Sequence, residues 1–106
     1  RIFVVGGQVV ASMKRTSPVE DFRSNVHRGA GTASVKISDK EQHIALEAAK
    51  YLGLGVAGID LIRSRKGPLL LEVNASPGLH GIETTTGINV AREIVRYVEK
   101  QSRKKR

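Results

Sequence analysis

Apolar and polar positions alternate in several short stretches of this chain, and each stretch predicts a strand. Residues 2–5 and 8–13 are rich in β-branched side chains, and Gly6-Gly7 between them predicts a tight hairpin, because glycine accepts the positive φ angles of two-residue turns. From residue 14 to residue 31 the periodicity disappears, so a long loop is predicted. Residues 32–37 alternate weakly and predict a short strand.

Two helices are predicted, each with one apolar face. Ser38 and Glu41 form a capping-box pattern that starts a helix running to about Leu52, where Gly53 ends it. The apolar face of this helix is expected to contain Ile44, Ala48, Tyr51 and Leu52. The second helix is expected over residues 89–101, after a polar connection. Its expected stripe is Ile88, Ala91, Ile94, Val95 and Val98.

A second hairpin is predicted by residues 56–61 (VAGIDL) and residues 69–78 (LLLEVNASPG). With a loop over residues 64–68, Arg63 would lie opposite Leu69, and Asp60 would lie opposite Glu72. Adjacent hairpins make the sheet mostly antiparallel. The element order therefore predicts an α+β fold with the helices on one side of the sheet.

Three oxygen-bearing side chains share one face of this second hairpin. Strand side chains alternate between faces, so Glu72 and Asn74 point the same way, and Asp60 joins them from the neighbouring strand. Because the flanking residues are apolar, carboxylates here need a partner that offsets their desolvation. The pattern alone does not decide between a metal ion and an Arg or Lys of the same sheet. The amide of Asn74 favours a hard cation such as Mg²⁺.

Two further segments are candidates for anion binding. Residues 21–31 (DFRSNVHRGAG) combine two arginines with small residues and could bind phosphate, although a solvated linker has the same composition. Ser76-Pro77-Gly78 predicts a sharp turn that exposes backbone amides, and a plain strand-ending turn is the alternative. The three histidines are too dispersed to form a metal-ligand pattern.

Composition limits the classes of protein. The 106 residues carry a formal charge of +8, and residues 92–106 hold seven Lys/Arg but only two Glu. We expect residues 1–102 to form one subdomain cut from a longer protein, and residues 103–106 to be a basic, disordered tail. The absence of cysteine favours the cytoplasm, and no apolar run has the length of a membrane span.

Four ordered motifs resemble the C-terminal part of ATP-grasp ligases of the RimK type, the ribosomal-protein alpha-L-glutamate ligase family. These motifs are residues 21–29 (DFRSNVHRG), 56–60 (VAGID), 71–79 (LEVNASPGL) and 81–88 (GIETTTGI). The resemblance implies an ATP-dependent carboxylate–amine ligase that works through an acyl phosphate. It also implies that the nucleotide-clamping lysines and the N-terminal domain lie upstream.

Roles for individual residues follow from the same resemblance. Asp60, Glu72 and Asn74 match ligands of Mg²⁺ or Mn²⁺, with two ions expected. The segment of Arg23, Ser24 and Asn25 matches part of the ATP site. The remaining matches are Arg28 and Arg15, which would stabilise the acyl phosphate and anchor the carboxylate substrate, and Ser76 and Gly78, which would line the acceptor side.

The resemblance leaves the substrates open. Glutamate and a ribosomal protein acceptor are expected, and a small metabolite, a cofactor or an amino-group carrier is the alternative acceptor. The isolated chain is expected to be inactive and to expose an apolar patch that the rest of the enzyme covers, or through which it forms a homo-oligomer. A basic nucleic-acid-binding module is the non-enzyme alternative, but only two Phe and two Tyr are available for base stacking.

Overall fold

The computed structural model describes residues 1–15 and 32–104. Within them, five strands form one antiparallel sheet in the order β3-β2-β1-β4-β5, together with three helices. The strands are β1 (Ile2–Val5), β2 (Gln8–Arg15), β3 (Thr32–Ser34), β4 (Val56–Ser64) and β5 (Gly67–Asn74). The helices are α1 (Asp39–Tyr51), α2 (His80–Thr86) and α3 (Val90–Lys104). The predicted α+β class and antiparallel sheet are confirmed.

Both predicted hairpins are present, and the second differs from its prediction in register. Gly6 and Gly7 have φ angles of 59° and 79°, as the tight β1–β2 turn requires. The β4–β5 loop is shorter than predicted, because Ser64 pairs with Gly67 and leaves a two-residue turn. As a result Arg63 lies opposite Pro68, and its predicted pairing with Leu69 is wrong.

A β-bulge in β5 restores the pairing on which the predicted metal site depends. Leu61 pairs with Leu70 and Asp60 pairs with Glu72, so Leu71 has no partner on β4. The extra residue shifts the register by one position. The predicted pairing of Asp60 with Glu72 is therefore correct, although the turn that was expected to produce it is not the one present.

The helices lie on both faces of the sheet, which corrects the prediction that they share one side. Ile2 and Val4 of β1 pack with Ala45 and Ala49 of α1. Phe3, which alternates with them along β1, packs instead with residues of the other two helices and of β2, namely Ile82, Val90, Ala11 and Met13. The uninterrupted apolar run of β1 is the sequence signal for a strand that is buried on both faces.

The buried faces of the two long helices also differ from the predicted ones. Helix α1 buries Glu41, Ala45 and Ala49, whereas Tyr51 is 91% exposed. Alanine permits close approach of α1 to the sheet, which the larger side chains of the predicted face would prevent. Helix α3 buries Val90 and half-buries Ile94, while the predicted members Ile88, Val95 and Val98 are exposed.

One short helix was not predicted. The expected polar connection contains α2, a helix rich in threonine and glycine that its fully buried Ile82 anchors. Helix α3 continues through Arg103 and Lys104 of the predicted basic tail, and residues 105–106 lie outside the described part of the chain. Within the described residues, no helix combines the length and the apolar content that crossing a membrane requires.

An ion pair joins the start of α1 to the β4–β5 hairpin. Arg63 Nε donates to Glu41 Oε2 at 2.6 Å and Arg63 Nη2 donates to Glu41 Oε1 at 3.0 Å. Glu41 Oε1 also accepts from the Ser38 backbone N–H, which completes the predicted capping box. The hydrogen bonds from Arg63 lower the pKa of Glu41 to about 2, against the resistance of burial. This contact fixes the hairpin relative to α1.

Replacing Glu41 with glutamine should lower the free energy of unfolding of the chain by about 1–3 kcal/mol, because it removes one charge of a partly buried pair. Because the pKa of Glu41 is lowered in the folded chain, the full stabilisation is present above the ordinary glutamate pKa near 4.5. It is lost as the pH falls towards the folded-state pKa of about 2. Denaturant unfolding between pH 7 and pH 2 should therefore show the difference between wild type and variant shrinking in acid. Glu47→Gln, on the exposed side of α1, is the control; a constant difference at all pH values would contradict the assignment.

Candidate functional site

The centre of the candidate site is a pair of cross-strand neighbours on β4 and β5. Asp60 pairs with Glu72, and two residues along, Gly58 pairs with Asn74. By strand alternation all four residues present to the same face of the sheet, and opposite side chains have Cβ atoms roughly 4.5–5.5 Å apart. The structure thus brings the three predicted metal ligands together.

Asp60 is bound by an arginine that the motif analysis did not select. Arg1 Nε donates to Asp60 Oδ1 at 2.7 Å, and Arg1 Nη2 donates to Asp60 Oδ2 at 2.9 Å. These hydrogen bonds hold the pKa of Asp60 below its ordinary value, despite partial burial, and the charges of Arg1 and Arg15 act in the same direction. An arginine of the sheet, one of the two explanations that the sequence left open, is therefore present. Among the described residues Glu72 has no such ion pair.

Asn74 shapes the turn that follows β5. Its Oδ1 accepts a hydrogen bond from the Ser76 backbone N–H at 2.9 Å, which bends the chain directly after the strand. The turn then brings Pro77 over Gly58, where a Cβ atom added to the glycine would lie 3.0 Å from Pro77 Cβ. The predicted acceptor-side residues Ser76 and Gly78 flank this proline in the chain, and Ser76 is bound to Asn74 through its backbone N–H.

A cavity of about 360 Å³ opens next to Asp60. Its lining includes Asp60 and the predicted Arg15, together with Arg1 and Lys14. The far wall contains the ion pair of Glu41 and Arg63, and the rest is largely aliphatic, with Ile2, Val35, Leu61 and Ile62 among its residues. Each of the two acidic residues that line the cavity is bound by an arginine. The net positive charge of the lining therefore comes from Lys14 and Arg15. The cavity therefore suits an anionic ligand with apolar parts.

The donor set on the sheet face fits a hard divalent cation. It offers two carboxylates and one amide oxygen, the ligand types that Mg²⁺ and Mn²⁺ take in proteins. The described residues contain no group of three or more His, Cys, Asp or Glu side chains that could hold a metal without such an amide. The candidate set of Asp60 and Glu72 therefore reaches three protein ligands only with the amide oxygen of Asn74.

Several predicted residues cannot be placed, and two contributors were missed. Arg23, Ser24, Asn25 and Arg28 lie outside the described residues. The missed residues are Arg1, which belongs to no motif, and Gly58. A glycine within an otherwise apolar strand often marks a close backbone approach, and that signal could have identified Gly58.

Comparison with known proteins gives a consistent result. A family model described as a RimK-like ATP-grasp domain matches residues 1–98. A probable alpha-L-glutamate ligase of Methanococcoides burtonii is 53% identical over 103 residues, which cover 97% of this chain and 34% of the relative. Probable alpha-L-glutamate ligase 1 of Shewanella oneidensis is 58% identical over 100 residues, covering 94% and 33% respectively. The chain thus spans about a third of the length of these curated relatives.

Solved structures share the fold. The ATP-grasp ligase PsnB, complexed with a phosphomimetic variant of its minimal precursor, Mg and ADP, matches with a TM-score of 0.73 and 21% identity, covering 95% of this chain and 31% of PsnB. A complex of PsnB with precursor peptide PsnA2 and AMPPNP matches with a TM-score of 0.66 and 21% identity, covering 91% and 30%. At this identity the likeness concerns the fold alone.

Gly58→Ala should destabilise the chain by about 1–3 kcal/mol, because the added methyl group forces Pro77 and its turn away from the sheet. Equilibrium unfolding in denaturant measures the change. Gly78→Ala is the matched control, since a Cβ atom there meets nothing within 4 Å, and its effect should stay within about 0.5 kcal/mol. Equal changes in the free energy of unfolding for the two substitutions would show that crowding against Pro77 does not destabilise the Gly58 variant.

Proposed function

The chain belongs to the RimK-like ATP-grasp domain family, and on that premise we propose that it supplies the metal-binding half of the active site of an ATP-dependent glutamate ligase. The observation that carries the proposal is the pairing of Asp60 with Glu72 and of Gly58 with Asn74. It places two carboxylates and an amide on one exposed sheet face beside a positively charged cavity.

The proposed reaction joins a carboxylate to an amine in two steps. The carboxylate oxygen attacks the γ-phosphorus of ATP, which releases ADP and forms an acyl phosphate. The amine then attacks the acyl carbon, phosphate leaves with the electron pair of the C–O bond, and the amine loses a proton as the amide forms. Catalysis of such a transfer depends on positioning the reactants and on stabilising the charge of the phosphoryl group.

The proposed roles of individual residues are those that the resemblance implies, and the shared sheet face and the cavity support some of them. Asp60, Glu72 and Asn74 would hold Mg²⁺ or Mn²⁺, with two ions expected, and the bound metal would supply charge neutralisation to the phosphates. Arg15 lines the cavity beside Asp60, and its positive charge can bind an anionic substrate or the acyl phosphate. The nucleotide contacts of Arg23, Ser24 and Asn25 and the role of Arg28 stay predictions.

Glutamate is the proposed amino-acid substrate, since relatives more than 50% identical over nearly the whole chain bear the name of alpha-L-glutamate ligases. A ribosomal protein is the proposed acceptor: its C-terminal carboxylate would form the acyl phosphate, glutamate would supply the attacking amine, and the acceptor would approach from the side of Ser76 and Gly78. A small metabolite or amino-group carrier is the competing acceptor. Ligation assays of the full-length protein with labelled glutamate against each acceptor class distinguish them. The expected cytoplasmic location also stays a prediction.

A group of exposed apolar residues on the β4–β5 hairpin supports the proposal that another protein surface covers it. Ile62, Leu69, Leu70 and Leu71 are between 48% and 65% exposed, and they are neighbours on the β4–β5 hairpin. Isolated soluble domains rarely leave such a group uncovered. We infer that another part of the same enzyme, or a second copy, covers this hairpin.

Glu72→Ala in the full-length protein should lower glutamate-dependent ADP release by about 100-fold or more while leaving the unfolding transition unchanged, because Glu72 is exposed and its proposed task is ion coordination. Glu47→Ala on α1 is the matched control for loss of an exposed carboxylate and should retain full activity. Persistence of activity in the Glu72 variant would show that the metal assignment is wrong.

The isolated 106-residue chain should show little or no ADP release with glutamate and acceptor, because the proposed site also needs residues from the rest of the enzyme. The same assay on the full-length protein provides the reference rate. Turnover by the isolated chain at the full-length rate would refute the proposal that it holds only half of the site.

A further inference from the structure

We propose that Arg1 is a positioning residue that fixes the Asp60 carboxylate in the orientation required for metal binding. This inference rests on the function proposed above and extends it to a residue outside the motifs. The alternative is that Arg1 competes with the metal for Asp60, and the two possibilities make opposite predictions for metal affinity.

The backbone of Arg1 is held in place by β2. The Arg1 nitrogen donates to Met13 O at 2.8 Å, and Met13 N donates back to Arg1 O at 2.9 Å. Arg1 therefore continues the antiparallel ladder one position before β1. Since β1 lies between β2 and β4, these backbone hydrogen bonds fix the Cα atom of Arg1 in the sheet next to β4, the strand that contains Asp60.

The side chain of Arg1 passes beside Gly58 on its way to Asp60. Arg1 Cδ lies 3.7 Å from the position that a Cβ atom on Gly58 would occupy. This is an ordinary van der Waals distance, and Gly58 lies two residues before Asp60 on the same face, so the aliphatic part of Arg1 runs along that face towards Asp60. The guanidinium then contacts both carboxylate oxygens, and the two side chains are only 20% and 24% exposed.

The geometry of this pair leaves Asp60 able to bind a cation. A carboxylate has about four acceptor positions, and the two hydrogen bonds from Arg1 occupy one on each oxygen. The others stay open to a cation that also contacts Glu72 and Asn74. Hydrogen bonds of this kind orient metal-binding carboxylates, and their loss commonly weakens metal affinity by about 10–100-fold.

Arg1 also offsets the repulsion between the two carboxylates. Asp60 and Glu72 are directly opposite each other, and like charges in that arrangement are unfavourable. The Arg1 guanidinium, 2.7 Å from Asp60, places a positive charge beside this pair and so offsets part of the repulsion.

The test is Mn²⁺ binding by the full-length protein, followed by electron paramagnetic resonance in the presence of a non-hydrolysable ATP analogue. Arg1→Gln removes the charge, whereas Arg1→Lys keeps the charge but loses the two-pronged contact. Both should weaken Mn²⁺ binding by about 10-fold or more. Arg65→Gln, in the exposed β4–β5 turn, is the control and should leave the affinity unchanged.

The outcomes separate this inference from the proposed function. Unchanged Mn²⁺ affinity in folded Arg1 variants would overturn the inference, and tighter binding by Arg1→Gln would identify Arg1 as a competitor of the metal. Retained affinity in Arg1→Lys alone would show that charge rather than orientation matters, and would also overturn it. If the wild type with the analogue binds no Mn²⁺, the metal site proposed for Asp60, Glu72 and Asn74 is wrong, and this inference fails with it.

Discussion

The register between β4 and β5 is the constraint on which the candidate site depends. A shift of one residue would turn Asp60 or Glu72 to the opposite face of the sheet, because strand side chains alternate. The two-residue turn at the hairpin tip sets one register, and the bulge at Leu71 changes it before the strands reach Asp60. Bulges commonly re-aim side chains near functional sites. Here the bulge determines which side chains meet.

Electrostatics imposes the second constraint. Asp60 and Glu41 line the same cavity, and each is bound through both oxygens by an arginine. The pair of Glu41 is structural, since it ties α1 to the hairpin and belongs to a helix cap. The pair of Asp60 lies opposite a second carboxylate, that of Glu72. The same chemical interaction thus has different uses in the two places.

The placement of the helices connects the core to the site. Helix α1 packs on one face through alanines, and helices α2 and α3 cover part of the other face through Ile82 and Val90. Asp60 and Glu72 also lie on the second face, and the turn around Pro77 contacts it at Gly58. Exposed leucines continue along the hairpin among the described residues. The proposed interface with the rest of the enzyme would account for this apolar surface.

Local signals in the sequence predicted much of the fold. Gly6-Gly7 required a tight turn, and Ser38 with Glu41 required a helix start, because both depend on conformations or hydrogen bonds within a few residues. Long-range features were predicted less well. The exposed position of Tyr51 depends on how closely the alanines of α1 approach the sheet, and periodicity within one helix does not contain that information.

The sequence by itself determined the types of metal-binding side chain and their common face, since strand periodicity and motif spacing are local properties. It left open whether a cation or an arginine accompanies Asp60. Only the tertiary structure decided that Arg1, 59 positions away, binds this carboxylate and that Gly58 leaves room for Pro77. The physical reason is that such contacts arise from the pairing of distant strands, which fixes distances that no local pattern specifies.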